Sequence, residues 1–195
     1  MAVTVPRARP RMSYAELTAK ADGLRLDRTR HPFFVAGIRG YYRDTLGAPG
    51  VNDRGLYDDA LFLVSSFAFA SYNGNTDPSR VRKGRGSDAG KGMAVLKPGL
   101  WLAHRFGMHR GQYLALVQTG GAVTVLRDGD PPYPDTGLFG INIHRGGWNS
   151  TSSLGCQTVH PGQWPAFIAL AQDLAKRHFG AAWRRTTIPY ALFDG

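Results

Sequence analysis

Residues 140–158 read Gly140-Ile141-Asn142-Ile143-His144-Arg145-Gly146-Gly147-Trp148-Asn149-Ser150-Thr151-Ser152-Ser153-Leu154-Gly155-Cys156-Gln157-Thr158. An apolar stretch over 138–144 predicts a strand that ends on His144. A polar loop follows, and a turn of small residues then presents the only cysteine of the chain. A lone cysteine is ordinarily a small core residue, but core cysteines rarely sit in so polar a loop. A thiol has a pKa near 8.5 and reacts as the thiolate, so a neighbouring imidazole that takes its proton turns it into a nucleophile. Gly155 lets the backbone turn sharply before Cys156 and leaves room for a substrate carbonyl. Main-chain N–H groups around Gly155, Cys156 and Gln157 are placed to stabilise an oxyanion. Asn142, one strand alternation before His144, shares its face and suits either a substrate contact or a cross-strand polar pair.

Working outward, the pattern on the N-terminal side is strand-like from residue 61. Residues 62–71 suit one buried strand. A loop over 72–92, rich in glycine and charge, is long enough to act as a flap. Short strands are predicted over 93–96 and 100–104. Strands over 113–118 and 122–127 flank Gly120-Gly121 and read as a hairpin. On the C-terminal side, Trp164, Phe167, Ile168, Ala171, Leu174, Ala175 and His178 fall at helical spacing, with Gly180 as the stop. A last strand over 184–192 is predicted to return to the sheet.

Residues 1–55 read as a basic arm and helical lead-in, and 56–195 as the β-rich body. Ser13 and Glu16 form a capping box for a helix over 14–24. Phe33, Phe34, Ile38, Tyr41 and Tyr42 predict a second amphipathic helix. The expected fold class is α+β, mainly β.

Composition bounds the function. A length of 195 residues fits one domain. One cysteine excludes an internal disulfide framework and a multi-thiolate zinc cluster. A zinc site from His144, Cys156 and one of His104, His109 or His160 remains chemically possible, but no pair has the short spacing of a ligand motif. His160 reads as a helix-entry residue and His178 as a packing or capping residue, whereas His104 and His109 flank a turn that can line the cleft. Trp148, Tyr72 and Tyr113 can stack on sugar or peptide, with core packing as the default. No apolar run approaches the ~18 residues of a membrane helix. The formal net charge of +10, mostly arginine, attracts the molecule to polyanions. Its cations are densest at Arg7, Arg9 and Arg11 and over Arg80-Val81-Arg82-Lys83-Gly84-Arg85. No zinc-finger spacing or aromatic-flanked basic helix accompanies them, so no nucleic-acid partner is expected. The first residues lack the apolar core of a secretory signal. Synthesis in the cytoplasm, followed by release or delivery, is the matching expectation.

At Ile143-His144-Arg145-Gly146 and Ser153-Leu154-Gly155-Cys156 the sequence resembles the L,D-transpeptidase family, the YkuD-type catalytic domain. The second motif matches position by position and the first loosely. The resemblance implies a β-sandwich-like catalytic fold, Cys156 as nucleophile, His144 as base and peptidoglycan stem peptides as substrate, with no cofactor. It places Ser153 and Gly155 in the catalytic turn. It also makes Asn142, Arg145, Gly146, Trp148, Gln157, Thr158 and Tyr72 candidates for substrate binding. Three features depart from the family. Thr158 stands where an arginine is frequent, His144 and Cys156 are only 12 positions apart, and Arg145 separates His144 from Gly146. The implied activity is L,D-carboxypeptidase, endopeptidase or transpeptidase. With the absent signal it suits a phage lysin or a delivered effector, a bacteriolytic hydrolase or transferase that acts as a monomer on an anionic cell envelope. A zinc-dependent amidase or peptidase and a non-catalytic wall-binding module are the alternatives.

Overall fold

The computed structural model describes residues 2–84 and 90–195. Arg85 of the basic cluster, and residues 85–89 of the expected flap, lie outside the described residues.

The chain is mainly β with two α-helices. In order they are α1 (Tyr14–Gly23), β1 (Phe33–Arg39), β2 (Asp59–Ser65), β3 (Phe69–Asn75), β4 (Ala94–Leu96), β5 (Gly99–His109) and β6 (Tyr113–Gln118). There follow β7 (Val123–Arg127), β8 (Tyr133–Gly137), β9 (Ile143–Arg145), β10 (Gln157–Val159), α2 (Trp164–Phe179) and β11 (Ile188–Asp194). Eight strands close into a barrel in the order β1-β11-β5-β6-β9-β10-β3-β2, and β4-β7-β8 form a separate three-stranded sheet. The chain is mainly β as expected, but a closed barrel beside a small three-stranded sheet stands in place of the expected sandwich-like layering. Among the described residues no helix is long and apolar enough to cross a membrane.

The central strands are buried on both faces. In β2, Leu61 and Leu63 enter the larger core with α2, whereas Ala60, Phe62 and Val64 enter a second core with Leu17 and Ala21 of α1. In β1, Phe33 and Val35 face the first core, and Phe34, Ala36 and Ile38 face the second. This corrects the expected second helix. A strand covered on both sides shows no polar alternation, so its apolar residues mimic a helical stripe. Because β1 lies between β2 and β11, the barrel draws on both sides of the expected boundary at residue 55.

Four further corrections follow. The single strand expected over 62–71 is the hairpin β2–β3, turning at residues 66–68, so the loop begins after Asn75 rather than at Tyr72. Strands β6 and β7 do not pair. Strand β6 joins β5 and β9, whereas β7 joins β4 and β8. Gly120 and Gly121 lack the positive φ of a tight hairpin turn. They pass close against β5, where a Cβ on Gly121 would lie 2.9 Å from the carbonyl oxygen of Leu102. The edge strand β8 was not expected, since its Tyr-Pro-Asp-Thr-Gly sequence suits only a strand with one free side. Strand β9 is shorter than expected because the Gln118 side chain takes over the ladder, its Oε1 accepting from Phe139 N–H at 3.0 Å and Ile141 N–H at 2.9 Å.

Helix α1 carries the expected capping box, with the Ser13 hydroxyl accepting from Glu16 N–H at 3.1 Å and Glu16 accepting from Ser13 N–H at 2.8 Å. Helix α2 begins with proline in its first turn and ends at Gly180, with Lys176, Arg177 and His178 in its last turn, the arrangement that complements the helix dipole.

Candidate active site

Parallel pairing of β9 with β10 sets His144 beside Thr158, and the turn that leads into β10 carries Cys156. The turn depends on Gly155, whose φ is +152°. A Cβ there would lie 2.6 Å from the Ala94 carbonyl oxygen and 2.9 Å from Ile141 Cδ1, so only glycine fits. Ser153 ties the turn internally: its Oγ donates to the Cys156 carbonyl at 2.7 Å and accepts from Gly155 N–H at 3.0 Å. Beneath it, Gln157 is fully buried, donating through Nε2 to the Gly155 carbonyl at 3.1 Å and accepting from Tyr190 Oη at 2.9 Å. The preceding loop is pinned to residue 79, because Ser79 Oγ accepts from Ser153 N–H at 2.8 Å and lies 2.6 Å from Thr151 Oγ1.

Cys156 is half-buried. Its thiol donates to the Gly140 carbonyl at 3.2 Å, and its sulfur accepts from Asn142 N–H at 3.4 Å. Burial pushes this thiol up to about 11 despite the Asn142 bond. His144 is buried on the neighbouring strand, with Nδ1 2.8 Å from the Arg145 carbonyl and 3.4 Å from Tyr113 Oη. The short contact to a carbonyl fixes Nδ1 as the protonated nitrogen and leaves Nε2 as the acceptor. Burial pushes this imidazole down to about 4, helped by the His109 ring stacked on it at 4.0 Å and by Arg110 and Arg145. The resting pair is therefore a thiol and a neutral imidazole. Among the described residues no hydrogen bond links the two.

Both groups line one cavity of about 680 Å³, together with Asn142, Gly155, His109 and the cations Arg82, Lys91, Arg110 and Arg127. Among the described residues no carboxylate lines it. Lys91 and Arg127 share Asp135 at 3.2 and 3.1 Å. Arg110 is exposed at the β5–β6 turn with φ +50° and makes no ion pair among the described residues. A second cleft, of about 470 Å³, adjoins it and is lined by Ser153, Arg80 and Arg110.

The structure thus brings Cys156, His144, Gly155, Asn142 and Ser153 together, and separates other candidates from the cavity. Tyr72 is 2% exposed and packs edge-on against Phe167. Gln157 and Thr158 are fully buried in β10. Gly146 lies against the Tyr57 ring, and Arg145 points outward over the Tyr113 ring. Trp148 is exposed, edge-on to His160, outside the cavity wall. His104 is fully buried, with Nε2 2.8 Å from the Ile141 carbonyl, and burial pushes it down to about 4. His160 accepts from Gln163 and Trp164 N–H through its carbonyl at the start of α2. His178 joins Ser65 Oγ to Nε2 at 2.7 Å.

The oxyanion donors also need correction. Gly155 N–H is taken by Ser153 Oγ, and Gln157 N–H by the Asn142 carbonyl at 2.8 Å. This leaves Cys156 N–H, which makes no hydrogen bond among the described residues. Sequence reasoning missed Arg110, whose only signal was the turn His109-Arg110-Gly111-Gln112, and missed that His109 stacks on the base. Among the described residues no group of three or more His, Cys, Asp or Glu side chains is arranged to hold a metal ion. No family model, curated protein or solved structure matches the chain.

Proposed function

We propose that the protein is a cysteine acyl-transfer enzyme of L,D-transpeptidase type acting on peptidoglycan stem peptides. The observation that carries this reading is the placement of Cys156 and His144 in the wall of one cation-lined cavity. Cys156 Sγ attacks the carbonyl on the L side of an L,D bond as its proton passes to Nε2 of His144. Cys156 N–H donates to the oxygen that becomes negative. The C–N bond then breaks, the imidazolium gives its proton to the departing amine, and a thioester remains. Water completes a hydrolysis; a second stem-peptide amine completes a transfer. Stem peptides carry carboxylates, and a wall with four basic side chains, Arg82 and Arg110 among them, and no acid among the described residues suits them. The net charge of +10 favours encounter with an anionic envelope.

Purified sacculi incubated with the protein, and with Cys156→Ala and His144→Ala, test the reading through muropeptide masses. Loss of a terminal D-alanine, opened cross-links or new cross-links, each absent from both variants, supports it and names the activity. Uncut sacculi that still bind the protein overturn it in favour of a wall-binding module. Cleavage that survives Cys156→Ala but stops with chelator overturns it in favour of a metal-dependent hydrolase.

A further inference from the structure

Away from the cleft, β2 and β3 end in a sealed acidic pocket. Asp58 and Asn75 are fully buried and Asp77 is 3% exposed. Asp58 immediately precedes β2 and Asn75 ends β3, each next to a member of the Asp59–Gly74 pair. The Asn75 amide donates to the main-chain carbonyl of Asp77, and the Asn52 amide donates to Asp77 Oδ2 at 2.6 Å. Asp53, next to Asn52, donates its N–H to Asp58 Oδ2 at 2.8 Å, which closes the ring of contacts.

Four acceptors in this cluster are left over. Asn52 Oδ1, Asp58 Oδ1, Asn75 Oδ1 and Asp77 Oδ1 are all enclosed without a partner, four of the seven such atoms among the described residues. Buried polar groups without partners are rare and costly. All four are oxygens of residues joined by these contacts, and a positive charge bound among them would satisfy them. The charges agree. Asp59 and Asp77 face the guanidinium of Arg39, which is hydrogen-bonded to Thr76. Arg54 nearby is engaged in a two-pronged pair with Asp128 at 2.7 and 2.8 Å. Asp59 is not a donor to the site, because its oxygens accept from Gly40 and Thr76 N–H.

We propose that Asn52, Asp58, Asn75 and Asp77 form a binding site for a divalent cation, calcium in particular. A set made wholly of carboxylate and amide oxygens selects hard cations. Mg²⁺ prefers to keep several of its waters, whereas Ca²⁺ accepts an irregular cage of protein oxygens. Only two of the four ligands are acidic, so the site is distinct from any cluster of three His, Cys, Asp or Glu side chains. Binding joins the 47–58 loop to the end of β3. Ser79, two residues beyond Asp77, holds the loop in front of Cys156, so the cation steadies the platform of the catalytic turn.

The test uses the full chain, stripped with EDTA and exchanged into metal-free buffer, then titrated with CaCl₂ or MgCl₂ by calorimetry and thermal melting. One saturable Ca²⁺ site is expected. At a hundredfold excess over Kd, Tm is expected to rise by about 5 °C or more. Asp77→Asn and Asn75→Ala are each expected to weaken Ca²⁺ binding at least tenfold. Absence of heat and of any Tm change in wild type up to 10 mM Ca²⁺ (about tenfold above the weakest Kd of extracellular calcium modules) overturns the proposal, whether or not the variants fold. An undiminished response in folded Asp77→Asn, or an equal response to Mg²⁺, overturns it as well. Sacculus cleavage plays no part in these readouts, so the site and the acyl-transfer reading stand or fall separately.

Discussion

Around Cys156 the cavity carries basic groups, with Arg82 and Arg110 open to solvent, whereas around Asp77 the charged groups include enclosed carboxylates. Water can solvate Arg110 until a ligand displaces it, so an unpaired cation there costs little. The carboxylates of the sealed pocket have no such recourse. Burial raises Asp58 to about 7 and Asp77 to about 8, in both cases reinforced by neighbouring carboxylates. An open cluster is suited to exchanging ligands and an enclosed one to holding the chain together. Substitutions in the first should change turnover at constant stability, and substitutions in the second should do the reverse.

The largest effect expected is on the sulfur. Cys156→Ala is expected to lower turnover on sacculi by about 10³-fold or more, with Tm unchanged, as read by muropeptide release and calorimetry. Removal of the base by His144→Ala should cost about 10²–10⁴-fold.

On the sealed side, Asp59→Ala leaves the N–H groups of Gly40 and Thr76 buried without acceptors. Each such loss costs about 1–3 kcal/mol, so denaturant unfolding should show a fall of about 2–6 kcal/mol while turnover per folded molecule holds. Equal loss of turnover would break the contrast between the two regions.

Gly155→Ala tests their boundary. The φ of +152° and the contact with the Ala94 carbonyl predict a penalty of about 1–3 kcal/mol together with loss of activity, because the strain falls on the turn that aims the thiol. Arg110→Ala should raise KM about tenfold, near the value of one charged hydrogen bond, with kcat and Tm almost unchanged.

The smallest effect lies in the pH profile. His144 accepts a proton only while neutral, so kcat/KM should fall with decreasing pH through about 4. His109→Phe keeps a stacked ring and removes a basic neighbour, so this limb should move up by less than one unit.

Legibility of the molecule in its sequence followed the range of the forces involved. Helix α1 declared itself through Ser13 and Glu16, three positions apart, and α2 through an apolar stripe with one polar face. Strand β1 was misread because two cores cover it and its period vanishes. Gly120-Gly121 was misread because close passage beside a backbone and a tight turn both ask for glycine. The Cys156 turn was legible as a local motif. His109 was legible only as a turn residue able to line the cleft; its stacking on His144 and the place of Arg110 were not, since both come from the pairing of β5 with β6. The ring of Asn52, Asp58, Asn75 and Asp77 depends on cross-strand register, which composition does not encode.

The most direct measurement of the central claim is the intact mass of the protein, acid-quenched during reaction with a stem tetrapeptide. The account predicts a transient adduct equal to the peptide less its departing amine, mapped to Cys156 and missing from Cys156→Ala. Peptide turnover with no adduct on wild type, or an adduct that persists in Cys156→Ala, would contradict it.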